Sequence, residues 1–259
     1  MKACYIGALF FFFVLLCSAF RVGAQDLGPG FTKVKDGIYV FASKEGNSNC
    51  SVVLTQEGAV VIDSCQSPID AHKLLAAIKT LTDKPVRFLL DTEVHSDHTF
   101  DHFIFSPPAI VINEEGATEG MKKNTDPKRA ETLAAQSPEM REAVKGYHMI
   151  TPQIEYKDRM TIHLGERTFD LIYLKNVHSE ADEAIWLPKE RVLFAASAAN
   201  VRTIINLRPF VTIPDILASY KLMKSLNPEV VIPGHGAVGT TKIFDEYEAF
   251  YTLLVQRVG

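Results

Sequence analysis

Four residues able to ligate a metal fall within six positions of this chain: Glu93, His95, Asp97 and His98, in the run Thr92-Glu93-Val94-His95-Ser96-Asp97-His98. Glu93, His95 and Asp97 alternate, so a locally extended backbone aims them to one side, with His98 turning in behind them. Imidazole and carboxylate are ligands of first-row metals, and zinc takes both. Two more histidines stand in turns after strand-like runs, His178 in Asn176-Val177-His178-Ser179 and His235 in Pro233-Gly234-His235-Gly236. The glycines on both sides of His235 let the backbone turn sharply and approach a ligand closely. A single histidine is more often structural, but three His-bearing loops at strand ends favour a shared metal site.

The elements that must position these loops are legible from periodicity. Residues 31–63 carry short β-rich runs broken by Gly37, Gly46 and Gly58, which suggests an antiparallel meander. Pro68 to Leu81 switches to helical spacing, with Pro68 suited to a first turn. The apolar run Val86-Arg87-Phe88-Leu89-Leu90 leads directly into the metal loop, and 109–112 reads as another strand. Residues 114–148, rich in Glu, Lys, Ala and Met and broken by Pro127 and Pro138, predict helical pieces on the outside. Strands are expected at 160–163, 168–174, 183–187, 192–195 and 229–232, and helices at 214–225 and 241–255. Two successive halves of strands followed by helices predict two sheets packed face to face with helices outside, in one domain.

The 259 residues, 47% hydrophobic and 22% charged, suit an ordinary globular protein. Residues 1–24 stand apart: Lys2, an apolar run from Ala3 to Phe20, then the small-residue pattern Val22-Gly23-Ala24. They read as a secretory signal peptide, with a retained membrane anchor as the competing reading. The expected location is therefore periplasmic or secreted, with the membrane touched only through this segment. Its removal takes away Lys2 and Arg21 and no acid, so the net charge moves from -4 to -6. No basic patch or arm points to nucleic acid, and a small-molecule substrate is the expected partner. Cys50 and Cys65 remain, and an oxidising compartment permits a bridge. A hairpin turning at Glu57-Gly58 sets them opposite each other as a hydrogen-bonded pair, a spacing less convenient for a disulfide, so buried free thiols stand as an equal alternative.

Taken together, these motifs resemble the metallo-β-lactamase superfamily, which carries a His-x-His-x-Asp-His loop after a strand, a later His in a turn, an Asp ending a strand of the type Leu-Phe-Ala-Gly-Asp, and a last His in Pro-x-His-Gly. The matching pieces here are Glu93-Val94-His95-Ser96-Asp97-His98, Val177-His178-Ser179, Leu193-Phe194-Ala195-Ala196-Ser197 and Pro233-Gly234-His235-Gly236. The resemblance covers nearly the whole chain after residue 24 and implies an α/β fold, an αββα four-layer sandwich of two mixed sheets. It also implies two zinc ions, one held by Glu93, His95 and His178 and the other by Asp97, His98 and His235. Two positions depart from the pattern: Glu93 stands where His is usual, and Ser197 where a bridging Asp is expected. The changes are complementary, since Ser197 removes one negative charge and Glu93 restores it.

If two metals bind, as the resemblance implies, they would acidify a water for attack on a carbonyl or other electrophile, with Asp97 expected as the catalytic residue that orients it. Around these ligands, Asp63 is expected to hold the loop through backbone hydrogen bonds. His102, in a second Asp-His pair, is expected either to support a ligand or to lie on the surface. Asn200, Arg202 and Arg208 are candidates to bind an acidic group of the substrate. The function expected is that of a secreted zinc-dependent hydrolase of amide or ester-type bonds, with a β-lactam ring among the candidate substrates. The alternatives are a hydrolase of sulfate, phosphate or thioester substrates, or a non-catalytic periplasmic metal-binding or accessory protein with a degenerate site.

Overall fold

The strands near the start of the chain are apolar on both faces, and that settles the layering. Successive side chains of a strand leave on opposite sides. In the computed structural model, which describes residues 27–201 and 208–258, Ile38 and Val40 join one core cluster while Tyr39 and Phe41 join another. A sheet buried on both faces needs a partner on each. The first sheet has seven strands in chain order: β1 (Phe31–Lys35), β2 (Ile38–Phe41), β3 (Cys50–Thr55), β4 (Gly58–Ile62), β5 (Val86–Leu90), β6 (Ile110–Glu114) and β7 (Ile154–Tyr156). Strands β1 to β4 pair antiparallel, and β4 to β7 pair parallel.

The second sheet holds β8 (Arg159–Leu164), β9 (Arg167–Tyr173), β10 (Glu183–Leu187), β11 (Val192–Phe194) and β12 (Val230–Ile232), in the order β12-β11-β10-β9-β8. Only β11 and β12 are parallel, so this sheet too is mixed. The inner faces meet in one cluster that joins Ile38, Val53, Val60, Ile62 and Leu90 to Phe169, Leu171, Ile185, Leu187 and Phe194. The helices are α1 (Pro68–Leu81), α2 (Ser96–Thr99), α3 (His102–Phe105), α4 (Ala117–Asn124), α5 (Arg129–Ala134), α6 (Pro138–Ala143), α7 (Ile213–Ser225) and α8 (Lys242–Val258). Ala71, Leu74 and Ile78 of α1 cover the outer face of the first sheet. Ile216, Tyr220 and Met223 of α7, with Phe244 and Tyr251 of α8, cover that of the second. The result is the expected αββα sandwich.

Local chemistry sets the helix starts. Ser67 caps α1 by accepting from the Asp70 N–H, with Pro68 in the first turn. Thr212 does the same for α7 through Asp215. The short edge strand β7 escapes the sequence pattern because Ile154 and Glu155 are exposed and only Tyr156 is buried. The segment 1–24 and Arg202 lie outside the described residues.

The cysteines correct one expectation. The β3–β4 hairpin pairs Thr55 with Gly58 and Ser51 with Ile62, so it turns at Gln56-Glu57 and leaves Cys65 beyond the end of β4. Asp63 and Cys65, with φ of 58° and 78°, bend the chain back beneath α1. The Cα atoms of Cys50 and Cys65 are 4.8 Å apart and their sulfurs are bonded, so the two are a buried disulfide and not free thiols. The bridge closes a loop with a sequence separation of 15. Reducing it, or replacing both residues as Cys50→Ala with Cys65→Ala, is expected to lower stability by about 3 kcal/mol. Urea unfolding with and without reductant measures this; coincident curves would show that no bridge constrains the chain.

Candidate metal centre

Asp63 fixes the loop that carries most of the ligands. It ends β4 in a left-handed conformation, and its carboxylate accepts from the Thr92 N–H and hydroxyl, both at 2.7 Å. The same carboxylate lies 3.0 Å from Nδ1 of His98. That contact turns Nε2 of His98 inward, the orientation a metal-ligating imidazole requires. The Thr92 carbonyl accepts from Glu183 of β10, which ties the loop to the second sheet. His95 precedes α2, whose single turn brings Asp97 and His98 round to the same side.

The other two histidines are held by polar groups without obvious sequence signatures. Asp182 is fully buried and accepts from the N–H groups of His178 (2.6 Å) and Ser179 (2.8 and 2.9 Å) and from the Ser179 hydroxyl, which fixes the His178 turn. The His235 N–H donates to Asn200 Oδ1 at 3.0 Å, and its Nδ1 lies 3.0 Å from the Gly46 carbonyl. Asn49 donates from Nδ2 to the carbonyls of Pro233 and Gly236, and Ser48 donates to that of Asp97. Asp182, Asn49 and Ser48 were not singled out from the sequence. Their only signal is that each lies beside a strand end or a ligand loop.

The ligand atoms converge in two groups, Glu93 with His98 and His235, and Glu93 with His95 and His178. In the first, His98 Nε2 is 3.3 Å from His235 Nε2 and 3.1 Å from Glu93 Oε1. Asp97 Oδ2 joins it, 3.3 Å from His235 Nε2 and 3.9 Å from His98 Nε2. In the second, Glu93 Oε2 contacts His95 Nδ1 and lies 3.7 Å from His178 Nε2. Zinc bonds of about 2.0–2.1 Å in a tetrahedron set neighbouring ligand atoms ~3.3 Å apart, a spacing that the first group matches. Oε1 of Glu93, on a residue 1% exposed, has no hydrogen-bond partner among the described residues, as expected of an atom facing a metal. Each group takes ligands from the loop after β5 and one histidine from the second sheet.

The electrostatics point the same way. Burial works against charge on Glu93, but His98, His178 and His95 hold its carboxyl well below the usual range. Burial likewise opposes the charge of Asp97, which the contacts with His235 and His98 nonetheless hold at about 2. Burial disfavours a charged His98, yet Glu93, Asp63 and Asp97 together push it up to about 10. Ionised Glu93 and Asp97 thus face the imidazoles, a charge arrangement suited to a cation.

Other residues behave differently from expectation. His102 is neither on the surface nor at the metal groups: it is buried, with Nε2 2.8 Å from Asp91 and Nδ1 2.8 Å from the Ile150 carbonyl. Asn200 is buried, and its side-chain oxygen accepts from the His235 N–H. Ser197 lies in the 3-10 turn Ala196–Ala198, its hydroxyl buried without a hydrogen-bond partner among the described residues. A Cβ on Gly234 would come within 2.6 Å of that hydroxyl, so this glycine lets the two turns pack. Arg208 Nη2 stands 2.5 Å from His95 Nε2, at the ring edge.

A family model described as the metallo-beta-lactamase superfamily matches residues 43–235, and the chain belongs to that superfamily. It is similar to the 2,4-dinitroanisole O-demethylase subunit alpha of Nocardioides sp. (strain JS1661), 22% identical over 203 residues, which are 78% of this chain and 54% of that protein. The chain thus spans little more than half the length of that relative. Among solved structures, the metallo-beta-lactamase from Pontibacter korlensis superposes with a TM-score of 0.67 at 18% identity, covering 86% of this chain and 98% of the other. The stereoselective inverting sec-alkylsulfatase Pisa1 from Pseudomonas sp. gives 0.68 at 16% identity, covering 88% of this chain and 42% of the other. These structural likenesses establish the fold. The superfamily is largely one of hydrolases.

The carboxylates behind the histidines make a direct prediction. Asp182→Ala and Asp63→Ala should each weaken zinc binding roughly 10- to 100-fold while the chain stays folded. Chelator competition, with circular dichroism as the folding control, measures this; unchanged affinity would mean that neither acid positions a ligand.

Proposed function

We propose that this chain is an exported two-zinc hydrolase. Its ligands are Glu93, His95 and His178 on one side and Asp97, His98 and His235 on the other. The observation that carries the reading is the convergence of ligand atoms from both sheets into two groups, Glu93 with His98 and His235 and Glu93 with His95 and His178, with Asp97 Oδ2 3.3 Å from His235 in the first. Bound zinc supplies Lewis acidity to polarise the scissile group and to acidify water. The chain does the rest. His98 is held by Asp63, His178 by its Asp182-bound turn, and His235 by Asn200. Asp97 Oδ2 faces His235 and, half-buried, is the more accessible carboxylate of the set, placed to orient a water and take its proton. No serine or cysteine nucleophile is required. The buried disulfide supports an oxidising compartment, in line with the signal-like segment 1–24.

Arg208 favours an anionic substrate. Its guanidinium stands beside His95, and its Nε is buried without a partner among the described residues. An acidic group next to the scissile bond, as in a β-lactam carboxylate or a sulfate ester, would find a charged donor there. The mature protein is expected to bind zinc and to hydrolyse at least one member of a panel comprising a chromogenic cephalosporin, an alkyl sulfate, a phosphodiester, a thioester and a simple ester. Full zinc occupancy without turnover on any of them would replace this reading with that of a metal-binding accessory protein. Arg208→Ala should lower kcat/KM for an anionic substrate roughly 10- to 100-fold and leave an uncharged ester within a few-fold; equal losses on both would remove Arg208 from recognition.

A further inference from the structure

Glu93 belongs to both ligand groups, and no other described residue does. Its two oxygens are divided between them. Oε1 lies 3.1 Å from His98 Nε2, on the side of His235, whereas Oε2 contacts His95 and lies 3.7 Å from His178 Nε2. A carboxylate serving one ion would turn both oxygens to it, or would leave the second to a hydrogen-bond donor. Neither description fits: Oε1 is buried without a hydrogen-bond partner, and it faces imidazoles of the other group. Ser197, the position from which the sequence pattern leads one to expect a bridging carboxylate, offers no carboxylate, only a buried hydroxyl without a hydrogen-bond partner among the described residues.

We infer that Glu93 is the bridge of the site, giving one carboxylate oxygen to each of two ions. In two-metal sites the ions sit about 3.5–4 Å apart, a separation a single carboxylate can span. The residue that departs from the family pattern at the first ligand position thereby takes on the linking role that Ser197 cannot fill. Because each oxygen completes a different group, losing the bridge should disturb both ions, whereas losing a ligand of one ion should disturb only that one.

This inference rests on the two-metal reading, and the experiment separates the two. Zinc is titrated into the metal-free full chain and into Glu93→Gln, which keeps shape and one carbonyl oxygen; stepwise dissociation constants come from chelator competition and stoichiometry from elemental analysis. The expected result is two ions on the unaltered protein and, in Glu93→Gln, both constants raised at least tenfold. His178→Ala is the comparison and should raise chiefly one. If Glu93→Gln alters a single constant, Glu93 is an ordinary ligand and the bridge is overturned while the two-metal reading stands. If the unaltered protein takes up one ion or none, the two-metal reading itself falls. Should Glu93→Gln not fold, electron paramagnetic resonance of the unaltered protein loaded with manganese(II) decides: a spin-coupled pair supports the bridge, and two isolated-ion spectra overturn it.

Discussion

A carboxylate taken out of water must be answered by positive charge or strong hydrogen bonds, and in this fold the carboxylate is that of Glu93. It lies 1% exposed at the end of β5 and is met by His95, His98 and His178. Each of those imidazoles needs its own support, and the chain supplies it from separate elements. Asp63 at the close of β4 holds His98, and Asp182 ahead of β10 holds the turn of His178. The cost of burying charge at the centre is therefore spread over several strand ends. The sandwich provides them because loops of both sheets meet along one edge.

The sequence revealed the site unevenly, for physical reasons. Candidate metal ligands announce themselves by residue type, so Glu93, His95, Asp97 and His98 stand out on one short loop, and glycines mark His235. Strands rich in apolar residues are the easiest to read, and Val86–Leu90, apolar but for the exposed Arg87, and Glu183–Leu187, buried throughout, match their expected bounds. What cannot be read is the use to which a common polar residue is put. Asn200 looks like a loop residue available to substrate, yet its oxygen serves a backbone N–H. Asp182 looks like one acid among Glu180-Ala181-Asp182-Glu183, yet it alone ties two successive N–H groups of the His178 turn. Such roles depend on where the backbone donors fall, which is settled only when the loops are closed.

The disulfide teaches the same lesson about register. Apolar alternation predicts the hairpin β3–β4 but not its turn, because moving the turn to Gln56-Glu57 keeps every side chain on its face. The pairing of Cys50 with Cys65 then depends on Asp63 and Cys65 taking left-handed conformations, a choice that ordinary propensity disfavours. Asp63 in that conformation also directs its carboxylate to Thr92 and His98. One strained corner thus serves both the covalent bridge and the loop.

Each ligand group draws its members from the loop after β5 and from a histidine beyond a strand of the opposite sheet. Neither sheet with its helices holds a complete group. An ion bound there is therefore also a clamp across the sandwich, and its binding free energy is shared with the closure of the two sheets. Metal affinity and the cohesion of the two halves become one quantity, so a change in the hydrophobic interface far from any ligand would be felt as a change in how tightly the protein keeps its metal.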